Sequence, residues 1–170
     1  MSIRHISQHA LAAALATALL ALTGCATNVA PTQPATLAAA AQQETDLSTF
    51  NALVKQAGLK DALIGSTPVT VFAPTNEAFK ALPAATLEAL SQNPVELQAV
   101  IKNHIVPGTH TQASITGATM MSTIGDTKLP VSKAGDFLTV EQGLVVKGDI
   151  QTGNGVLHII DAVALPPKKK

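Results

Sequence analysis

The feature that most constrains the fold is a change of residue pattern near the middle of the chain. Up to Pro107 the apolar residues recur mainly at helical spacing, whereas after Ser114 they fall into short β-prone runs separated by Gly, Asp and Asn. The late strands leave no room for crossover helices, which argues against a doubly wound parallel sheet. Helices followed by strands, with one early strand, predict an α+β domain.

The helical half carries clear start and stop signals. The first predicted helix covers 47–57, with Thr45 or Asp46 as candidate N-cap and Gly58 as the stop. Further helices are predicted over 60–64, 75–82, 86–90 and 94–104. The last of these has the clearest start, because Asn93 can cap it and Pro94 fits the first helical position.

The strands are predicted from β-prone runs and the turn residues between them. One strand, 69–72, lies within the helical half. The later strands are predicted over 120–124, 128–131, 137–140, 144–147 and 156–165. The last run is the longest, so we expect it to be a central strand.

The N-terminal segment predicts export. An apolar run over 10–22 is too short for a membrane span, which needs about 20 apolar residues, and is typical of a signal peptide. It ends in Leu22-Thr23-Gly24-Cys25, which resembles the lipobox of bacterial lipoproteins. The resemblance implies cleavage after residue 24 and acylation of Cys25, the palmitate-type anchor of a lipoprotein. The alternative is an ordinary secretory signal with a chance cysteine.

The resemblance to lipoproteins also implies a location and an order of segments. Ala26 is not the aspartate typical of inner-membrane retention, so in a Gram-negative envelope the outer membrane is favoured over the periplasmic face of the inner one. We expect a signal peptide at 1–24, a lipidated N-terminus and flexible spacer at 25–43, a folded domain at 44–166 and a basic tail at 167–170. A frayed helix over 37–43 is the alternative for the end of the spacer.

Composition excludes several function classes. Lys plus Arg and Asp plus Glu number 11 each, so the formal net charge is zero and nothing favours nucleic acid as a partner. Trp and Tyr are absent, which leaves little for stacking on bases or sugars. With the single cysteine acylated, no thiol remains for disulfides or metals, and packing must supply the stability.

Three segments carry a specific family resemblance. The sequence TVFAPTNEAF at 70–79 resembles the first signature of fasciclin-like domains, and NGVLHIID at 154–161 resembles the second. Between them, NHIVPG at 103–108 is similar to the family's Tyr-His stretch, except that Asn103 stands where tyrosine is usual. The resemblance spans 46–166. It implies a wedge-shaped β-sandwich with helices packed around it, a fold that commonly serves extracellular adhesion.

The signature residues are interpreted as the scaffold of the fold. Thr75 or Asn76 can accept from the free amides of the following helix, and Asn154-Gly155 can supply a positive φ for a tight turn. The positions assigned to the fold signature are Thr70, Phe72, Pro74, Thr75, Asn76, Phe79, His104, Pro107, Gly108, Asn154, Gly155, His158 and Asp161.

No pattern indicates a catalytic, cofactor or metal site. His104, His110 and His158 are not spaced as helix-borne ligands, and core positions bonded to nearby carbonyls explain His104 and His158 more simply. No serine lies in a Gly-x-Ser-x-Gly elbow, and no glycine-rich loop leads into a helix. A zinc or haem role shared by His104 and His158 is the less favoured alternative.

These observations predict a membrane-tethered, extracytoplasmic adhesion module without enzymatic activity. Its partner would be another envelope protein, a polysaccharide or a host matrix component. The alternative is an envelope carrier or sensor of a small apolar or haem-like ligand, which requires a pocket formed by Met120, Met121 or Phe137 together with a histidine. A stress- or symbiosis-related envelope factor is a third possibility that the sequence does not separate from the first.

Overall fold

The computed structural model describes residues 33–166, so the leader, Cys25 and the tail at 167–170 lie outside the described residues. The helices are α1 (Leu37–Gln43), α2 (Ser48–Gln56), α3 (Lys60–Ile64), α4 (Asn76–Lys80), α5 (Ala84–Gln92) and α6 (Pro94–Asn103), with a 3-10 turn at Thr45–Leu47. The strands are β1 (Val69–Pro74), β2 (Ile105–Pro107), β3 (Ala118–Ser122), β4 (Lys128–Ala134), β5 (Phe137–Val140), β6 (Gly143–Thr152) and β7 (Gly155–Ile160).

The strands form one sheet in the order β2-β1-β7-β6-β5-β4-β3. Only β1 and β7 pair in parallel; all other neighbours are antiparallel. The two ends of the sheet approach each other, since the Ile124 amide donates to the Ile105 carbonyl at 2.9 Å. The α+β prediction is confirmed, and the expected sandwich takes the form of a continuous sheet nearly closed into a barrel. The last predicted strand is β7 and lies inside the sheet, between β1 and β6, as expected, but it ends at Ile160 and not at 165, and β6 is the longest strand.

Two apolar clusters stabilise the fold, one on each face of β1 and β7. Val71 and Leu157 pack with Phe50 and Leu97 between the sheet and the helices. Phe72 and Ile160 point to the other side, into a cluster inside the curved sheet, because neighbouring strand residues face opposite ways. Each fully buried large side chain contributes about 1.5–3 kcal/mol of transfer free energy. The central strand pair therefore joins both cores.

The helix starts show which capping predictions hold. Asn93 accepts from the amides of Val95 and Glu96 at 3.1 and 3.3 Å, and Thr75 accepts from the Ala78 amide at 3.1 Å, as predicted. Each such cap is worth about 1 kcal/mol.

Neither Thr45 nor Asp46 caps α2, and that prediction is wrong. Asn76 instead accepts from the Thr49 amide at 2.9 Å, and its amide group donates to the Thr45 carbonyl at 3.2 Å. The cap comes from a residue 27 positions away, because α4 begins beside the start of α2. A local sequence pattern cannot indicate a cap that comes from a residue so far away in the chain.

The spacer predicted at 25–43 includes residues that belong to the folded domain. Its last residues form α1, in which Thr36 accepts from the Ala39 amide at 3.1 Å and Leu37 is fully buried. The alanines of this segment allow a close approach, and α1 packs against α3 and β7 as part of the helix-side core. The folded part therefore begins before residue 44. Within 33–166, no helix combines the length and apolar character needed to cross a bilayer.

Asn154 joins elements that are far apart in sequence. Its side-chain oxygen accepts from the Leu37 amide at 2.8 Å, and its amide group donates to the carbonyls of Leu63 and Gly65 at 3.0 and 2.8 Å. The side chain is buried, so each of these main-chain groups would lose its partner without gaining water. One asparagine thus ties α1 and the end of α3 to the start of β7.

Gly155 is required mainly for a close approach rather than for the predicted tight turn. Its φ is 153°, and a Cβ at this position would lie 1.9 Å from the Val69 carbonyl oxygen of β1. Any side chain would therefore force β1 and β7 apart at the point where their parallel pairing begins.

We expect Asn154→Ala to lower the free energy of unfolding by roughly 3 kcal/mol, because it leaves buried donors and acceptors unpaired. Urea unfolding followed by circular dichroism measures this loss. Asn93→Ala is the matched control: it removes the same side chain from an exposed helix cap and should cost about 1 kcal/mol. Equal losses for the two variants would contradict the anchoring role of Asn154.

Candidate functional site

His104 is a fully buried residue at the end of α6, and both its ring nitrogens contact the backbone. Nδ1 donates to the Val100 carbonyl at 2.7 Å, while Nε2 accepts from the Ala164 amide at 3.0 Å. An imidazole that donates through one nitrogen and accepts through the other is neutral. Burial lowers its pKa from 6.5 to about 4, against the opposing effect of the Val100 carbonyl. No ring nitrogen is left to bind a metal or move a proton.

His158 lies in the middle of β7 and uses the opposite tautomer. Nε2 donates to the His110 carbonyl at 2.8 Å, and Nδ1 accepts from the Asp149 amide at 3.2 Å. The ring stacks on Phe72 of β1, with ring centroids 5.2 Å apart. Burial lowers the pKa of His158, opposed by the hydrogen bond to the His110 carbonyl and by the Asp149 carboxylate.

The segment 108–116, called here the wall loop, is fastened to the central strands by polar contacts. Thr70 of β1 donates to the Gly108 carbonyl and accepts from the His110 amide, both at 2.8 Å. Further along, the Gln112 amide donates to the Asp149 carboxylate at 2.8 Å. Together with the bond from His158 to the His110 carbonyl, these contacts hold the wall loop against the interior strands β1, β6 and β7.

The remaining signature residues also contact backbone or core. Asp161 accepts from the Leu144 amide at 2.6 Å and links β7 to β6. Asn103, where the resembled family usually has tyrosine, donates to the Ala164 carbonyl at 3.0 Å. Phe79 is buried in the helix-side core, and Pro74 ends β1. Since His104, His158 and Asp161 contact different backbone segments, they do not form a common site.

An open groove of about 490 Å³ lies between the wall loop and β3, and it is called here the edge groove. Its residues are Val106, Pro107, His110, Ser114, Ile115, Thr116, Thr119, Met120, Met121 and Ser122. They include no Asp, Glu, Lys or Arg, so the groove is suited to uncharged ligands. Within 33–166, no cluster of three His, Cys, Asp or Glu side chains could hold a metal ion.

The edge groove contains part of the pocket expected for a ligand carrier. Met120 and Met121 line it together with His110, whose Nε2 lies 3.1 Å from the Pro107 carbonyl. Phe137 is not part of it, because it lies at the start of β5, which β4 separates from β3. The sequence did not indicate the wall-loop residues Ser114 to Thr116, since the loop is positioned at Gly108, His110 and Gln112 by contacts distant in sequence.

Comparisons with known proteins identify the family of the domain that carries this groove. The family model described as Fasciclin domain matches residues 45–166. The chain is 42% identical over 130 residues to Protein sll1483 of Synechocystis sp., a match covering 75% of this chain and 71% of that protein. It is 35% identical over 159 residues to the immunogenic protein MPB70 of Mycobacterium bovis, covering 85% of this chain and 81% of MPB70.

Two further comparisons cover a smaller part of the other protein. The chain is 37% identical over 130 residues to periostin of Homo sapiens, covering 76% of this chain but 16% of periostin. Among solved structures, a FAS1 domain pair of the insect cell adhesion molecule fasciclin I superposes with a TM-score of 0.60 at 16% identity. That match covers 80% of this chain and 52% of the other, and it supports the fold alone.

The buried neutral histidines predict a pH dependence of stability. In the unfolded chain His104 takes up a proton near pH 6.5, whereas in the folded chain its pKa is about 4. The unfolded state therefore binds more protons between these values, and stability falls as the pH is lowered from about 7 to about 4. We expect His104 to contribute roughly 3 kcal/mol to this fall, measured by urea unfolding at several pH values.

The comparison variants separate this effect from the titration of carboxylates. His104→Gln should be less stable at pH 7 but should lose less stability on acidification than the wild type. Asn93→Ala, which removes a helix cap and no titratable group, should keep the wild-type slope. An unchanged slope in His104→Gln would contradict the assignment.

Proposed function

The chain belongs to the fasciclin-domain family, and from this premise we propose that it is a membrane-anchored, extracytoplasmic adhesion module without catalytic activity. The proposal rests on the contacts that the signature histidines make. Both ring nitrogens of His104 and of His158 bind main-chain groups, so the residues shared with the family support the scaffold. What remains for function is the surface, including the edge groove.

One similarity supports adhesion, and a second supports attachment to a membrane. The sequence match over residues 45–166 places the chain in the fasciclin family, and domains of this family form part of an insect cell adhesion molecule. The lipobox-like segment ending at Cys25 supports a lipid anchor that would hold the domain at a membrane. Eleven residues, 26–36, separate Cys25 from α1, and a chain of that length spans at most about 40 Å. The domain would therefore act close to the membrane surface.

A complementation experiment tests both parts of this proposal. In a strain lacking the gene, we expect reduced cell adhesion or aggregation, restored by the wild-type protein but not by Cys25→Ala. The variant should move from the detergent phase to the aqueous phase of a Triton X-114 partition, because it lacks acyl chains. Crosslinking in intact cells followed by mass spectrometry then identifies the protein or polysaccharide partner.

Deletion of the tail Lys168-Lys169-Lys170 is the control for membrane attachment. A basic residue near an anionic surface contributes about 1 kcal/mol, which is small beside two or three acyl chains, so the truncated protein should stay in the detergent phase. Unchanged adhesion and envelope integrity in the deletion strain would contradict the adhesion function. Equal partitioning of wild type and Cys25→Ala would contradict the anchor.

A ligand carrier is the second candidate, and the edge groove is the observation that favours it. Methionine sulfur and histidine nitrogen are both haem ligands, and Met120, Met121 and His110 line the same cavity. Met120 is 60% exposed and so remains available at the mouth of the groove. A ligand bound there would have to compete with the Pro107 carbonyl for His110 Nε2.

Titration of the purified protein with haem separates the two candidates. A carrier would shift the haem absorption band at a one-to-one ratio, and His110→Ala with Met120→Ala would abolish the shift. The adhesion module predicts no saturable spectral change. Met120→Ala alone should leave the fold intact, because this side chain projects from an exposed strand edge.

A further inference from the structure

The outer edge of β3 carries main-chain groups that are free to pair with another strand. The Lys133 amide donates to the Gly117 carbonyl, and the Thr123 amide donates to the Thr127 carbonyl, both at 2.9 Å. These bonds bracket the β3–β4 ladder, whose register is Met120 opposite Pro130. Because hydrogen-bonded pairs alternate along an antiparallel ladder, the odd-numbered residues of β3 bond to β4.

The even-numbered residues of β3 therefore point their amides and carbonyls away from β4. These residues are Ala118, Met120 and Ser122, and their outward main-chain groups have no hydrogen-bond partner within the described part of the chain. Pro130 fits this alternation, because a residue without an N–H occupies a position that donates nothing to β3. Three donors and three acceptors thus lie along this edge at regular spacing, and those of Met120 and Ser122 lie beside the edge groove.

The other end of the sheet does not offer a comparable edge. Outward-facing positions on β2 are Ile105 and Pro107, since the Phe72 amide bonds to His104 and the Gly108 amide bonds to Pro68. The Ile105 carbonyl already accepts from Ile124, and proline has no N–H to donate. The Pro107 carbonyl receives His110 Nε2. Of these two edges, only β3 presents a row of unused groups.

The edge of β3 also lacks the residues that normally prevent pairing. Edge strands are commonly protected by lysine, proline or a bulge, whereas β3 reads Ala-Thr-Met-Met-Ser in a regular register. Two cations flank the strand and are engaged elsewhere: Lys128 donates to the Ser122 hydroxyl at one end, and Lys133 donates to the Gln112 carbonyl of the wall loop. An open, uncharged strand edge is what an added strand needs.

The edge groove determines what kind of strand fits. Val106, Ile115 and Met121 supply buried apolar surface, and Ser114 and Thr116 supply hydroxyl groups. The bond between Ile105 and Ile124 closes one end, and the wall loop bounds the side opposite β3. A groove of about 490 Å³ that is bounded on one side by the wall loop suits a single extended segment better than the sheet of a second copy.

We propose that the edge of β3 binds an extended, uncharged peptide segment of a partner protein as an additional strand. The outward groups of Ala118, Met120 and Ser122 pair with the peptide backbone, and alternate apolar side chains of the peptide enter the groove over Met121 and Ile115. This inference rests on the proposed interaction function and names the surface and the partner chemistry that serve it.

The test uses the full chain, purified in detergent, and the peptide acetyl-TVTVTVT-amide as probe. Amide hydrogen exchange by NMR should show at least tenfold greater protection of Ala118, Met120 and Ser122 when the peptide is saturating. Thr119 and Met121 should change little, because their amides already bond to β4. Met120→Pro should weaken peptide binding at least tenfold, while Met120→Leu, which keeps the amide, should bind like the wild type.

Met120→Pro is informative because the amide it removes is not part of the β3–β4 ladder, and an unchanged melting temperature would verify the fold. The matched probes are the same peptide with alternate amides methylated and a version with lysine in place of valine; neither should protect the edge. Absence of protection, or equal binding by Met120→Pro, would overturn the proposal. Protection that rises with protein concentration and without peptide would assign the edge to a second copy and overturn it too.

Failure of the peptide-binding inference can be distinguished from failure of the proposed adhesion function. If Met120→Pro loses the peptide but restores adhesion in the deletion strain, the adhesion module uses another surface and this inference fails alone. If the deletion strain adheres normally, the proposed adhesion function fails whatever the peptide does. Loss of both peptide binding and adhesion in Met120→Pro supports the inference.

Discussion

The parallel pairing of β1 with β7 is the constraint on which the rest of the structure depends. It brings together Val69–Pro74 and Gly155–Ile160, which are more than eighty residues apart and are buried along their whole length. Both apolar clusters meet at this pair. Such a pairing has a high entropic cost of loop closure, so it needs several independent contacts to hold its register.

The contacts that hold the register come from the signature residues. At the start of the pair, the missing side chain of Gly155 permits the approach to Val69, and Asn154 ties in α1 and α3. In the middle, His158 stacks on Phe72. At the end, the Thr75 amide donates to the Ile160 carbonyl at 2.9 Å. Two of these polar side chains, Asn154 and His158, are buried, and such positions are costly unless every polar atom is bonded.

Much of this fold could be predicted from the sequence, because its signals are local. The cap at Asn93, the stop at Gly58 and the strand 137–140 each depend on residues within a few positions, and the structure has them as expected. The family resemblance supplied the overall architecture. Sequence patterns failed where a partner lies far away. The cap of α2 comes from Asn76. The helix over 37–43 was only the alternative to a flexible spacer, because the sequence does not show that Asn154 and the core hold α1.

The candidate site shows the same division. Of the residues that the sequence suggested for a carrier pocket, Met120 and Met121 line the edge groove and Phe137 does not. The walls of the groove could not be predicted, since the wall loop has no periodicity and owes its path to Thr70, His158 and Asp149. The unpaired edge of β3 could not be predicted either, because the strand order of a sheet decides which strands lie at its ends.

The scaffold and the surface are connected through the wall loop. His158 in the central strand holds the His110 carbonyl, and Thr70 in the adjacent strand holds the His110 amide, so one residue of the groove is fixed from both sides by signature positions. The groove lining itself consists of short hydroxyl and apolar side chains that make few such bonds. The two central strands therefore determine the position of the wall loop, and with it one side of the edge groove. Buried residues whose polar atoms bond to the backbone thus shape a surface that they do not themselves form.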